Sequence, residues 1–133
     1  MKNIMTNPDL EKMIAEEILA NNNHIGLDSD DVQKLKDYSD FIDGTAVNGK
    51  PDDLRKLADE ALMQIKEAHP HSRLTMLMFK IRVAKGHHLT LEQIDAFNSL
   101  FRSPTYDIPM MWGIETDAPI PDEVRLCILC GFK

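Results

Sequence analysis

Between Met110 and Phe132 the chain carries two apolar runs of strand length on either side of the connection Pro119-Ile120-Pro121-Asp122. Apolar and β-branched runs separated by a short, turn-prone link read as a β-hairpin. No other stretch restricts the fold as tightly. It commits the C-terminal part of the chain to a sheet whose remaining strands must be found upstream.

Two such strands are legible. Phe41, Ile42, Thr45, Ala46 and Val47 make a short strand ahead of the turn residues Asn48 and Gly49. Leu74 to Val83 is longer and richer in large side chains, as suits a strand covered on one face and partly on the second.

The segments between have helical spacing. Asn7-Pro8-Asp9 opens an amphipathic helix to Ala20, with Leu10, Met13, Ile14 and Ile18 on one face and Glu11, Lys12, Glu16 and Glu17 largely on the other. Asn21 to His24 end it, and Asp28-Ser29-Asp30-Asp31 supplies cap-type oxygens for a second helix from about Ser29 to about Tyr38. Pro51, with Asp52 and Asp53, suits the first turn of a third helix. Its apolar face of Leu54, Leu57, Ala58, Ala61, Leu62 and Ile65 runs on to Ala68, where His69-Pro70-His71 terminates it. Thr90 to Gln93 has the form of a capping box, and the helix it opens uses Leu91, Ile94, Phe97, Leu100 and Phe101 before Ser103-Pro104 stops it.

The order helix, helix, strand, helix, strand, helix, strand, strand predicts an α+β domain, a four-stranded mixed sheet with helices packed on one or both faces. The 133 residues are expected to form one domain, with 1–24 as a leading amphipathic helix and loop and 25–133 as the core.

Charge narrows the partners. With 22 acidic against 15 basic residues and a net charge of -7, the chain is a poor ligand for nucleic acid or an anionic membrane, both of which are bound through clustered Lys and Arg. The apolar run Leu74 to Phe79 is far shorter than the ~20 residues that span a bilayer, and the N-terminus has no secretory pattern, so a cytoplasmic location is expected.

The C-terminal run also resembles the closing hairpin of the C-terminal domain of FtsZ, the bacterial member of the tubulin superfamily. There a Gly-x-x-x-Asp turn leads into Asp-Glu-x-Arg and an apolar strand ending in Gly; the matching residues are Gly113, Asp117, Asp122, Glu123, Arg125 and Gly131. Ile25 to Val32 is similar to the acidic loop after the long central helix of that family, of pattern Asn-x-Asp-x-x-Asp, with Asp28 and Asp31 on its acidic positions. Gly44 to Gly49 leading into Asp52-Asp53-Leu54-Arg55, and Lys80 to Gly86 followed by Leu89 to Ile94, match in the same order. The likeness covers about residues 8 to 133 and implies an FtsZ C-terminal-like two-layer sandwich.

The departures from the family bear on activity. FtsZ binds GTP through a Gly-Gly-Gly-Thr-Gly-Thr-Gly loop, and the six glycines here form no such cluster, so no GTP binding, no other cofactor and no catalysis of its own are expected. Gly26 stands where the family loop has Asn. The chain stops at Lys133, so the tail with which FtsZ meets its membrane tethers is expected to be missing.

Several residues invite chemistry. The resemblance implies that Asp28 and Asp31 enter a neighbouring subunit's nucleotide site to help place magnesium or the attacking water. Helix capping is the simpler role and the preferred one. Cys127 and Cys130 have a Cys-x-x-Cys spacing, but residues three apart on a strand point to opposite faces, which favours two buried, reduced thiols. His24, His69, His71, His87 and His88 fall in loops without an evident Cys or carboxylate partner, and solvated turn histidines are preferred to a metal site. Trp112 reads as a face or core residue of the hairpin. Asp122 and Glu123, with Arg125, read as turn and cross-strand partners rather than acid–base pairs.

The function implied is a non-catalytic, FtsZ C-terminal-like protein-binding domain. Its expected partner is FtsZ or another tubulin-like protein, met through Gly26, Asp28, Asp30 and Asp31, and capping or regulation of a filament is the expected outcome. The alternatives are a small-molecule-binding or enzymatic domain on the same scaffold, and a homo-oligomeric structural module.

Overall fold

The computed structural model describes residues 12–19, 27–102 and 108–133. Gly26, His24, Ser103-Pro104 and, of the Asn7–Ala20 helix, residues 7–11 and 20 lie outside the described residues, as does the side chain of Phe101. Within them the chain runs from a single π-helical turn, Ile14–Ile18, to α1 (Ser29–Asp37), β1 (Phe41–Gly49), a 3-10 turn Pro51–Asp53 and α2 (Leu54–Ala68). Then come β2 (Leu74–Ala84), α3 (Leu91–Ser99), a 3-10 turn Leu100–Arg102, β3 (Met110–Ala118) and β4 (Val124–Phe132). The α+β class and the four-stranded mixed sheet are those expected.

The hairpin is not. The sheet order is β1-β4-β2-β3, so β2 lies between the two strands that were expected to pair. β4 runs antiparallel to both β1 and β2, and β3 is parallel to β2. The reason lies in which strand can bear full burial. Leu126 to Cys130 are wholly buried except where Arg125 precedes them, whereas β3 carries Trp112, Thr116 and Asp117 and keeps several residues part-exposed. A central strand is covered on both faces and suits a run as apolar as Leu126 to Cys130, whereas an edge strand can keep polar residues at the surface. The link 119–123 therefore passes the end of β2, a gap of about 10 Å that residues of ~3.3 Å reach each can span. Ala84 N–H donates to the Glu123 carbonyl at 3.0 Å, which ties the link to that end.

Parity along β4 separates the two faces. Val124, Leu126, Ile128, Cys130 and Phe132 look toward α2 and α3, where the Phe79 and Phe97 rings meet edge to face with centroids 5.5 Å apart. This contact fixes the rotation of α3. Six residues at ~100° each carry Leu91 well round the helix from Phe97, and Leu91 is 81% exposed instead of joining the core face. Asn48 and Gly49, expected in a turn, are the last two residues of β1. Asn48 Oδ1 accepts from Arg125 Nη1 at 3.0 Å, and a Cβ on Gly49 would stand 2.6 Å from Leu57 Cδ1 of α2.

The opposite face holds Arg125, Cys127, Leu129 and Gly131. Besides the helix layer of α2 and α3, the sheet thus has a second, partial cover, made by α1 and the π turn, whose Ile14 and Ile18 join the same core as Val32 and Leu35. Ser39, just past α1, bonds Thr75 through their hydroxyls at 2.9 Å directly over Gly131. Here the absence of a side chain matters, since a Cβ on Gly131 would lie 2.0 Å from Ser39 Oγ. Gly86, by contrast, is required by its backbone, with φ of +87° in the turn after β2. Gly131→Ala is expected to lower unfolding stability by about 1–3 kcal/mol, as overpacking does. Urea denaturation measures it, and an unchanged midpoint would contradict the packing of Ser39 onto β4.

Candidate functional site

The acidic loop is a helix start. Asp28 Oδ1 accepts from the Asp31 N–H and Asp31 Oδ2 accepts from the Asp28 N–H, each at 3.0 Å, a reciprocal capping box at the head of α1. The preferred reading of both aspartates is thus the one found. Asp28 and Asp30 are exposed, Asp31 is partly so, and Leu27 beside them is buried in the core. The loop is anchored at one end and displays carboxylates at the other.

A second charged constellation lies on the sheet, under the π turn. Register sets Arg82 of β2 opposite both Arg125 of β4 and Glu115 of β3, and sets Lys80 opposite Cys127 and Gly113. Lys80 and Glu115 are almost wholly buried and Arg82 nearly so. Arg82 Nε donates to Glu115 Oε1 at 2.7 Å, and Lys80 Nζ lies 3.6 Å from the same oxygen. Lys80 also donates to the Ile18 carbonyl at 3.3 Å, placing a cation at the C-terminal end of the π turn. Glu17 completes the group. Its Oε1 accepts from Arg82 Nη1 at 3.1 Å and from Arg125 Nε, and its Oε2 accepts from Arg125 Nη2 at 3.2 Å.

The electrostatics follow from burial and pairing. Burial alone would raise the Glu17 pKa, but the hydrogen bonds and charges of Arg125 and Arg82 outweigh it and hold the carboxyl below its usual range. Burial lowers the Lys80 pKa despite Glu115 beside it. Cys127, in the midst of these charges, is pushed up to about 12, chiefly by burial. Cys130 moves in the same direction for the same reason, from the other face of the sheet. Both cysteines are free, buried and directed apart, as the strand parity implies.

Glu17 was expected on the solvent face of its helix; it turns instead to the sheet. Arg125 takes Glu17 and Asn48 as partners, not Asp122 or Glu123, while Glu123 approaches His87 Nδ1 at 3.4 Å. The readable signal for this cluster was Lys80 and Arg82 two apart inside an otherwise apolar strand, which puts both charges on one buried face.

His69 also departs from the expectation of a solvated turn residue. It closes α2, its Nε2 lies 2.8 Å from Asp43 Oδ2, and its ring packs against both Phe41 and Phe132, at centroid distances of 5.0 and 4.9 Å. Among the described residues no group of three His, Cys, Asp or Glu side chains is placed to hold a metal. No described helix is long and apolar enough to cross a membrane.

No family model and no curated protein matches the sequence. Among solved structures, a point mutant of FtsZ from M. jannaschii is similar over 96% of this chain, with a TM-score of 0.60 and 15% identity. The fold resembles the FtsZ/tubulin C-terminal domain. An empty FtsZ dimer from M. jannaschii is similar over 92% of the chain at 17% identity and a TM-score of 0.48. AaThiL complexed with AMPPCP and TMP is similar over 93% at 7% identity and a TM-score of 0.51. The chain spans 34 to 40% of the length of these structures.

Two outcomes are expected from the cluster. Glu17→Gln should cost about 2–3 kcal/mol of stability in chemical denaturation at neutral pH, because it leaves two arginines short of a carboxylate. Since the folded pKa of Glu17 lies below 4.5, its contribution is present above that pH and is lost as pH falls through the folded value, so the gap between wild type and variant should close in acid. For Cys127 the sign is reversed. Between pH 9.0 and about 12 the folded chain keeps a proton that the unfolded chain releases, so this thiol's contribution to stability falls as pH rises. In a thiol-reagent assay at pH 8, both cysteines should react only after denaturation.

Proposed function

We propose that this chain is a non-catalytic, FtsZ C-terminal-like protein-binding domain that caps or regulates an FtsZ-type filament through the acidic face of Asp28, Asp30 and Asp31. The observation that carries the reading is the fold likeness to FtsZ over 96% of the chain. The geometry of the loop supports a contact role. Each aspartate of the capping box spends a carboxylate oxygen on a backbone amide, which stiffens the loop while leaving Asp28 and Asp30 facing outward. A stiff, acidic, convex helix start suits a basic or amide-rich surface on another subunit, since little conformational freedom is lost on docking.

AaThiL favours a second reading. Its structure is complexed with AMPPCP and TMP, and its likeness at a TM-score of 0.51 supports a small-molecule-binding or enzymatic role for the same scaffold.

Sedimentation of FtsZ filaments with the 133-residue chain distinguishes these readings. Co-sedimentation with reduced polymer mass is the expected result. Asp30→Lys, which leaves the capping box intact, should weaken binding about tenfold, or ~1.4 kcal/mol, without moving the unfolding midpoint. Asp28→Ala should cost about 1 kcal/mol of stability as well, through the lost cap. No co-sedimentation and no change in polymer mass or GTP turnover would sink the proposal. A rise in melting temperature with a nucleotide would support the second reading instead.

A further inference from the structure

Arg82 and Arg125 stand directly opposite one another on neighbouring strands. Like charges at a cross-strand pair repel, and the cost grows when the pair is shielded from water. On the sheet itself only Glu115 offsets Lys80, Arg82 and Arg125 in this cluster, and its Oε1 is already engaged by Arg82 Nε and lies 3.6 Å from Lys80 Nζ. The remaining attraction for an anion is met by Glu17. Arg125 takes both of its oxygens in the fork that guanidinium makes with carboxylate, and Arg82 adds a third bond to one of them.

The supplier of that carboxylate is a small element. The described segment 12–19 contains one π turn, a form found frequently at functional sites. It is held by Ile14 and Ile18, four residues apart, by Glu17, and by the Ile18 carbonyl on Lys80. Alongside it an open groove of about 310 Å³, lined by Lys12, Met13, Glu16, Glu17, Ala46 and Arg125, gives solvent access to the arginine fork.

We propose that Arg82 and Arg125, with Lys80 behind them, form a carboxylate-binding site that Glu17 fills from within the chain, so that residues 12–19 compete with an incoming carboxylate ligand. The chemistry that fits is an acidic side chain on a helical segment with apolar residues flanking it at the spacing of Ile14 and Ile18, and a free small carboxylate shares the polar part of that chemistry. This surface is separate from the acidic loop, and neither proposal depends on the other.

Two measurements test it, both on the full chain. In Glu17→Ala, formate should raise the melting temperature by several degrees more than chloride at equal ionic strength, and saturably. Glu17→Ala combined with Arg125→Ala should lose that response. Should Glu17→Ala be unfolded on its own, recovery of its circular dichroism in formate is read in place of melting. In the wild type, a peptide of residues 10–20 at millimolar concentration should speed amide exchange of residues 12–19 at least tenfold, and the same peptide with Gln in place of Glu17 should not. Formate rescue with a silent peptide would assign the site to small carboxylates, provided that saturating formate speeds the same wild-type amides. No formate effect in Glu17→Ala, or wild-type amides unmoved by both probes, would overturn the proposal and leave Glu17 as a fixed brace.

Discussion

Two guanidinium groups facing each other across β2 and β4 set the conditions for one whole side of this molecule. Charged groups are buried only when paired and hydrogen-bonded, because desolvation otherwise outweighs any gain from packing. Glu115 meets part of that need from the neighbouring edge strand, and Glu17 meets the rest from a segment distant in sequence. The N-terminal turn is therefore tied to the sheet by chemistry as well as by Ile14 and Ile18. Among the described residues no buried side-chain nitrogen or oxygen lacks a hydrogen-bond partner. The opposite face has a different logic, with aromatic and aliphatic side chains packed on α2 and α3 and one polar pair, His69 with Asp43, at its edge.

Much of this architecture could be read from residue order. Helix starts were legible because Asp28 with Asp31 and Thr90 with Gln93 announce themselves through local hydrogen bonding that needs no tertiary context. Strand existence was legible from apolar runs. Strand pairing was not, because a short link between two strands is compatible both with a hairpin and with a passage over one intervening strand. The choice depends on the relative burial of β3 and β4, a property of the assembled sheet. The same holds for Leu91, whose exposure is set by where Phe97 meets Phe79.

The acidic loop and the arginine fork differ in the same way. Asp28, Asp30 and Asp31 are adjacent in sequence and could be named in advance; Glu17, Arg82, Glu115 and Arg125 are drawn from four elements and become a group only when the strands are in register. Glu17 is assigned to solvent by its charge, although on a regular helix it stands three residues from Ile14 and four from Met13 and so shares their face. The π turn Ile14–Ile18 keeps it on that side, where Arg82 and Arg125 meet its carboxylate. Fold likeness to FtsZ gives the loop its proposed partner, whereas the fork stands on geometry within this chain.

The order of strands in space has a consequence for how the chain comes into being. β4 is the last strand in sequence, yet it is the one to which both β1 and β2 are joined. Until it has been synthesised, β1 has no strand to pair with, and β2 presents an apolar edge to water along its whole length. Contacts between segments so far apart close slowly, and unpaired edges are where chains associate wrongly. A nascent chain halted before Val124 would thus hold β2 joined to β3 alone, with β1 apart from both and one edge of β2 still open.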